Sequence, residues 1–222
     1  MRTFGTSEFL FLLAALRWTV LLSLIAFMGG TLFGFIVALA RTSPFIILRA
    51  ISIVYIQIFQ GTPLLIQLFI AYYGFAVLFD LRIDVWTAVS LAFTLYSAAF
   101  LGEIWRGALQ SVPRQQWESA DCISLNYFDK MRYVVLPQAF RVAIPPTVGF
   151  LVQLVKGTSV AAIIGFVELT RAGQLMTNVT FQPMTIFPIV AVLYFIMCWP
   201  LSRLGKMLER RLDVRRGVTQ GM

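Results

Sequence analysis

Long, mostly apolar runs without charges alternate along the chain with short polar segments. A helix that crosses the hydrocarbon core of a bilayer needs about 20 mostly apolar residues. Five segments are long enough, and they predict spanning helices at about 18–40, 52–79, 85–104, 140–167 and 184–204. These runs lack the period-two alternation of barrel strands, so the pattern predicts an all-α integral membrane protein.

Composition supports a membrane protein and excludes several kinds of chemistry. Of the 222 residues, 59% are hydrophobic and 13% are charged, whereas soluble domains average about 45–50% and about 25%. The chain has no histidine, two cysteines and no P-loop sequence, which removes histidine-based catalysis, four-cysteine zinc sites and P-loop binding of ATP. We therefore expect a single membrane domain, 1–222, with no catalytic residue, no metal and no cofactor of its own.

The positively charged residues predict which side of the membrane each segment faces. Most of the 18 Lys and Arg residues follow the first and third spans or lie in the tail at 203–216, whereas Arg2, Arg17, Arg82 and Arg171 lie in the opposite segments. Positive residues concentrate on the cytoplasmic side, so we predict that the N-terminus is outside and the C-terminus inside. The net charge of +8 then needs no nucleic-acid partner, and the tail is expected to meet anionic lipid.

The longest polar stretch between spans, about 105–139, is predicted to form a helix–turn–helix hairpin on the inner side. Pro113 suits a first helical turn. Trp117, Ala120 and Ile123 recur every three residues, which gives the first helix one apolar face.

The second helix of this hairpin is expected to begin with Asn126 as its cap and to end at Leu136-Pro137. The residues alone leave two interpretations open. The hairpin is either a connector that is solvated or lies on lipid, or a docking element that offers Trp117 to a groove on a soluble partner.

The hairpin resembles a motif of the permease subunits of binding-protein-dependent ABC importers, which reads Glu-Ala-Ala, three residues, Gly, nine residues, Ile, one residue, Leu-Pro. The spacing is complete here, at Glu118-Ser119-Ala120, Ser124, Val134 and Leu136-Pro137. Ser119, Ser124 and Val134 replace the Ala, Gly and Ile of the motif. A glycine at the turn would allow a positive φ, which Ser124 reaches only at a cost.

Flanking segments narrow the resemblance to the polar amino acid branch, the histidine, glutamate, glutamine, arginine and opine permeases. The segments that carry it are 60–69, 96–108 and 156–159. Gln60 stands where the branch has Arg, Gly157 where it usually has Asp, and Gln115 where it usually has Gly. The resemblance covers about residues 15–210.

The resemblance implies the fold of a type I ABC importer permease in the bacterial inner membrane, working by alternating access. The implied partners are two ATP-binding subunits, which would hold ATP and Mg, a second permease chain (sister or identical) and a periplasmic amino acid-binding protein. In such a protein the hairpin is the coupling element for the ATPase. The residues assigned to it are Arg114, Trp117, Glu118, Ser119, Ala120, Ser124, Leu125 and Asn126.

Lys156 is predicted to lie near the middle of the fourth span, where a charge is expensive and must face protein or a water-filled cavity. Two interpretations stay open. Lys156 either pairs with an acid such as Glu103 or with a helix-end carbonyl, or it lines a translocation path and meets an anionic group such as a substrate carboxylate. The candidate path residues are Gln60, Thr62, Gln153, Lys156, Thr158 and Ser159.

Two further pairs of charged residues are predicted from their positions at the ends of spans. Glu103 and Arg106 suit a pair three residues apart at the inner end of the third span. Glu168 and Arg171 are expected to be solvated charges of the outer loop, on the side where the family receives its binding protein.

The second span is expected to contain a kink at Pro63, next to Gly61. Gln67 in the same span is expected to face the bundle or a partner chain. Gly30 and Gly34 form the G-x-x-x-G pattern of closely packed membrane helices.

An ion-coupled secondary transporter is the alternative function. That class should show internal repeats and paired acids at mid-depth. Neither is found, because Asp80, Asp84 and Glu168 flank the predicted spans and five spans cannot form equal halves.

Overall fold

The computed structural model describes residues 4–220, with all side chains except those of Phe79 and residues 213–220. Arg2 and the side chains of Arg215 and Arg216, which entered the charge analysis, lie outside the described part. No strand occurs within it. The α-helices are α1 (Thr6–Thr42), α2 (Ile46–Gly61), α3 (Leu64–Phe69), α4 (Phe75–Phe79), α5 (Val85–Gln110), α6 (Arg114–Cys122), α7 (Tyr127–Asp129), α8 (Leu136–Gly157), α9 (Leu169–Thr180) and α10 (Pro183–Gln220). Ile70–Gly74 and Lys130–Val135 are π-helical, and Thr158–Ile164 is a 3₁₀ helix.

The helical stretches of the described chain account for the predicted spans. Four of them are long and apolar enough to cross a membrane, namely Thr6–Thr42, Val85–Gln110, Tyr127–Ile164 and Pro183–Leu212. The bent pair Ile46–Gly61 and Leu64–Leu78 makes a fifth if it is counted as one span. The all-helical membrane architecture predicted from the hydrophobic runs is confirmed.

The first helix begins well before the span predicted at 18–40. The segment from Thr6 carries only Glu8 and Arg17 as charged residues ahead of that span. It buries Leu12 and Ala15 in a cluster with residues of α9 and α10. A spanning helix needs about 20 residues, so α1, with 37 residues, extends beyond the bilayer.

The second predicted span is not one continuous helix. Its two parts meet at an angle of 104°, at the position of the kink that the sequence predicts from Pro63. Thr62 has extended backbone angles, φ −118° and ψ 144°, because the residue before a proline is driven out of the helical region. The local sequence therefore predicts the break, but it does not predict the angle between the two helices.

Gln67 closes this break with hydrogen bonds. Its Nε2 donates to the carbonyl oxygens of Phe59 (2.8 Å) and Thr62 (3.0 Å) and to the Thr62 hydroxyl (3.0 Å). The last carbonyls of a helix have no partner within the helix, and inside a bilayer no water replaces that partner. The Gln67 side chain thus donates to carbonyl groups that lose their backbone N–H partners at the break.

The core of the bundle lies where α1 packs along α5. Gly30 and Gly34 of α1 make the close approach possible, as the G-x-x-x-G pattern indicates. A Cβ on Gly30 would lie 2.3 Å from the Cβ of Ser97, and one on Gly34 would lie 3.0 Å from the carbonyl oxygen of Ala98. The fully buried Phe93 belongs to the same core.

The prediction that Leu136-Pro137 ends a helix is wrong. The chain is helical throughout Tyr127–Ile164, so the second helix of the predicted hairpin runs into the fourth span. The stretch just before Pro137, Lys130–Val135, is π-helical, and Leu136 N–H donates to the carbonyl of Met131, five residues earlier. This wider turn makes room for the proline ring. It also lets the backbone hydrogen bonds of the helix continue although Pro137 has no N–H.

Replacing Gly30 by Ala should destabilise the protein, because the added methyl group overlaps Ser97 and pushes α1 away from α5. Overpacking of this kind costs about 1–3 kcal/mol. We expect the loss to appear in the unfolding of the detergent-purified protein. Gly107→Ala on α5 is the matched control, since a Cβ there meets nothing within 4 Å. Equal stability of Gly30→Ala and the wild type would contradict this packing.

Candidate functional site

The inner connector, residues 111–126, joins α5 to the helix that begins at Tyr127 and contains α6. Two of the three residues predicted to form its apolar face do so. Ala120 is buried, and Trp117 is half-buried against the cluster that contains Val135. Ile123 is 70% exposed, because α6 ends one residue before it, so its predicted place on that face is wrong.

The rest of the α6 surface is polar and exposed. Arg114, Glu118 and Ser119 all lie on it. Among the described residues, neither Arg114 nor Glu118 has an ion-pair partner. This face therefore carries charges that no described residue neutralises in an ion pair.

Side-chain contacts hold α6 against the helix that follows it. Asp121 forms an ion pair with Lys130, and Gln138 Nε2 donates to Gln116 Oε1 at 3.1 Å. The connector is thus tied to the base of the fourth span at two points.

The turn after α6 has the geometry that a glycine usually provides. Ser124 has a φ of 57°. Its N–H donates to the carbonyl of Asp121 (2.9 Å), and Leu125 N–H donates to that of Ala120 (3.1 Å), which is the Schellman pattern of helix ends. Holding a serine in this region costs about 1–2 kcal/mol. Asn126 then caps the next helix with its side chain, as predicted.

Two irregular points of the helices lie next to each other, and many of the residues around them are exposed. One is the break at Thr62-Pro63, and the other is the point at Thr158 where α8 passes without a break into a 3₁₀ helix. The stretches after these points contact each other, and a Cβ on Gly157 would lie 3.9 Å from Leu64 Cδ2. We call residues 60–64 and 153–159 the break region. A broken spanning helix such as the pair α2 and α3 often forms part of the binding site in transporters.

The two path candidates from the second span are exposed but engaged with the backbone. Gln60 Nε2 donates to the carbonyl of Ala99 at 3.3 Å, which joins α2 to α5. The Thr62 hydroxyl donates to the carbonyl of Ile58 at 2.7 Å. Both side chains therefore stabilise the position of the break.

The candidates from α8 divide into two kinds. The side chains of Gln153 and Lys156 are exposed and have no hydrogen bond or ion pair with another described residue. Glu103, a candidate partner of Lys156, pairs with Arg106 instead, which is the pair that the sequence predicts.

Thr158 and Ser159 instead serve the end of α8. The Thr158 hydroxyl is buried and donates to the carbonyl of Val155 (2.7 Å), and the Ser159 hydroxyl donates to that of Lys156 (2.8 Å). Gln153 and Lys156 are left as the side-chain donors of the break region that are free to meet a solute.

Glu168 is not a solvated charge, and that expectation is wrong. Its side chain is fully buried. Its carboxylate accepts hydrogen bonds from the N–H groups of Thr170 (2.9 Å) and Arg171 (2.8 Å), which caps α9, and from the Tyr194 hydroxyl (2.7 Å) of α10. Burial raises the pKa of the Glu168 carboxyl above its usual value, against the opposite effect of these hydrogen bonds.

Sequence reasoning missed this residue although one signal was present. An acidic residue at the start of a helix is stabilised by the positive end of the helix dipole. Its burial depends on Tyr194, which is distant in the sequence. Arg171 is half-buried, and its guanidinium donates to Gln174 Oε1 at 3.1 Å.

A bundle of spanning helices with one broken span and a clamped inner connector has the architecture of a transporter membrane subunit. Residues 30–214 match the family described as the binding-protein-dependent transport system inner membrane component. The chain belongs to this family. It is a multi-pass protein of the inner membrane.

Curated relatives cover nearly the whole chain. The L-cystine transport system permease protein TcyB of Bacillus subtilis is 38% identical over 197 residues, 88% of this chain and 84% of the relative. The probable amino-acid ABC transporter permease protein YckA of Bacillus subtilis is 34% identical over 204 residues (92% and 90%). The glutamine transport system permease protein GlnP of Escherichia coli is 33% identical over 204 residues (91% and 93%).

Solved structures share the fold. The chain matches a structure titled as an amino acid ABC transporter with histidines with a TM-score of 0.87 and 30% identity, over 95% of this chain and 100% of the other. It matches the inward-facing MetNI methionine ABC transporter with a TM-score of 0.79, over 94% and 99% of the two chains. That second match has 19% identity and supports the fold alone.

These comparisons identify the chain as the permease component of an ABC importer. ATP hydrolysis in such an importer belongs to a partner subunit and not to the permease. They give no support to an ion-coupled transporter.

Replacing Glu168 by Gln should change how stability depends on pH. A carboxyl with a raised pKa binds more protons in the folded state. It therefore favours folding most below its unfolded pKa, and this contribution is lost as the pH rises through its folded pKa. As the pH rises from about 4, near the unfolded pKa of a glutamate, the melting temperature of the wild type should fall relative to that of Glu168→Gln.

Thermal unfolding in detergent across this pH range measures the effect. The exposed Glu209 of α10 offers the matched control Glu209→Gln, which should leave the pH dependence of the wild type unchanged. Parallel curves for the wild type and Glu168→Gln would contradict the buried carboxyl.

Proposed function

We propose that this permease carries a polar amino acid into the cell, with two ATP-binding subunits, a second permease chain and a periplasmic binding protein as partners. The substrate class is supported by the names of the relatives, which concern amino acids, L-cystine and glutamine. The observation that carries the mechanism is the inner connector, a short helix with an unpaired charged face that is clamped to a span.

In this proposal the connector docks on an ATPase subunit through the exposed face of α6. Arg114, Glu118 and Ser119 are the residues placed to touch the partner. Ala120 is buried against the bundle and holds α6 in position. Trp117 is half-buried there, so part of it holds α6 and the rest is open to a partner. Ser124, Leu125 and Asn126 form the turn that ends α6 and fixes the direction of the next helix.

The continuous helix Tyr127–Ile164 connects this docking face to the break region. It begins at the connector and contains Lys156 near its other end, so the two are separated by about 40 Å of helix. A continuous helix transmits a displacement as a rigid body, which is how domain movements open and close transporters. Movement of α6 with the ATPase would therefore move Lys156.

The break region is the proposed substrate path. Lys156 supplies a positive charge and Gln153 an amide, which suit the carboxylate and the polar groups of an amino acid. Gln60, Thr62, Thr158 and Ser159 shape this region by stabilising the interrupted backbone.

A second permease chain is part of the proposal because one chain of five spans cannot enclose a path. Its copy or sister would close the path and supply a second connector, one for each ATPase subunit. The positive residues favour the connector on the cytoplasmic side.

Reversing the charge of Glu118 should uncouple transport. Glu118→Arg would place a positive charge where the partner is expected to offer one, which weakens ATPase binding and uptake by at least about tenfold. The measurement is co-purification of the ATPase with the assembled permease, followed by amino acid uptake into proteoliposomes. Glu209→Arg, the same change on exposed α10, is the control. Normal uptake by Glu118→Arg would contradict the docking role.

Neutralising Lys156 should weaken substrate recognition and leave assembly intact. Losing a hydrogen bond to a charged group costs about 1.5–3 kcal/mol, so Lys156→Gln should raise the KM for uptake by about tenfold or more. Labelled L-glutamine and L-cystine are the first substrates to test, and Lys206→Gln on α10 is the control. An unchanged KM for the transported amino acid would remove Lys156 from the path.

A further inference from the structure

A basic cleft lies between the α1–α2 turn and α6. It has a volume of about 750 Å³. Arg41 and Arg49 line it from the turn, and Arg114, Trp117 and Glu118 line it from the connector. Two parts of the chain that are distant in sequence therefore form one concave surface beside the docking face.

The charges of this cleft are unbalanced. None of its three arginines is in an ion pair with a described residue, since the ion pairs there are Glu103–Arg106 and Asp121–Lys130. Both carboxylate oxygens of Glu103 are bound by Arg106, and the same carboxylate attracts Arg41 through space without forming an ion pair with it. Glu118 is then the one carboxylate among the lining residues, so the cleft is complementary to an anionic partner.

We propose that this cleft receives an acidic segment of the ATPase subunit, so that docking uses Arg41 and Arg49 as well as α6. The inference rests on the proposed docking of α6. A guanidinium group binds a carboxylate through two parallel hydrogen bonds. Trp117 lies beside the arginines, and Trp and Arg are the residues that dominate the centres of protein interfaces.

An anionic lipid head group is the other anion available at the cytoplasmic surface. A phosphate would complement the arginines, but it would lie beside the Glu118 carboxylate and leave that group unpaired. A protein segment can offer acids to the arginines and a base to Glu118. The mixed lining of the cleft therefore favours the ATPase.

The first test compares ATPase binding by assembled permeases in nanodiscs of neutral lipid. The double variant Arg41→Gln/Arg49→Gln should bind the ATPase about tenfold more weakly than the wild type. Its binding should also depend less on salt, because screening acts on the charges that it lacks. The control Arg210→Gln/Arg211→Gln removes two exposed arginines of α10 and should bind as the wild type does.

A second test keeps every arginine and so does not disturb membrane insertion. Ser43 lines the cleft, and Ser43→Cys in a Cys122→Ser background carries a photo-crosslinker attached to the thiol. The adduct should contain the ATPase, joined at an acidic segment identified by mass spectrometry. Met184→Cys, at a position that is 89% exposed on α10, should give no such adduct.

Two results would overturn the inference. One is unchanged ATPase affinity of the Arg41→Gln/Arg49→Gln variant. If this variant keeps its ATPase affinity but loses binding of phosphatidylglycerol, the cleft is a lipid site. The other is a Ser43→Cys adduct without ATPase. The Glu118→Arg variant distinguishes a failure of the cleft proposal from a failure of the proposed docking of α6. If only Glu118→Arg loses the ATPase, the cleft is excluded and the docking of α6 stands; if neither variant loses it, the proposed function fails as well.

Discussion

The structure depends on one constraint, which is that every backbone N–H and C=O group inside a bilayer must find a partner within the protein. Continuous helices meet it over most of the chain. Where a helix is interrupted, a side chain takes over, as Gln67 does at the break in the second span. Thr158 and Ser159 do so at the end of α8, and Glu168 at the start of α9. The first two of these places belong to or adjoin the break region, which we propose as the substrate path.

The same constraint bears on the proposed role of the inner connector as a lever. The helix beyond it does not end at Pro137, because the π-helical stretch Lys130–Val135 accommodates the ring and keeps the ladder continuous. The connector, the fourth span and Lys156 therefore belong to one mechanical unit. A flexible joint at Pro137 would have dissipated any movement of α6 before it reached the break region.

The ion pairs of the described residues separate charges that are paired within the chain from those that we propose to meet partners. Glu103 is neutralised by Arg106, and Asp121 by Lys130. Lys156 and Glu118 have no such partner in the described chain and lie at the two ends of the same mechanical unit. Charges that are unpaired within the chain can form ion pairs with a partner, whereas the charges that are already paired cannot.

Local features were predictable from the sequence by itself: the helical spans, the kink at Pro63 and the cap at Asn126. Each depends on the apolar length of a run or on the backbone preferences of neighbouring residues. The tertiary structure alone decided the burial of Glu168, the absence of a partner for Lys156 and the continuity of the helix through Pro137. The first two depend on which distant residues come together. The third depends on a π turn that no local sequence pattern predicts, because its hydrogen bonds differ from those of an α-helix by a single residue.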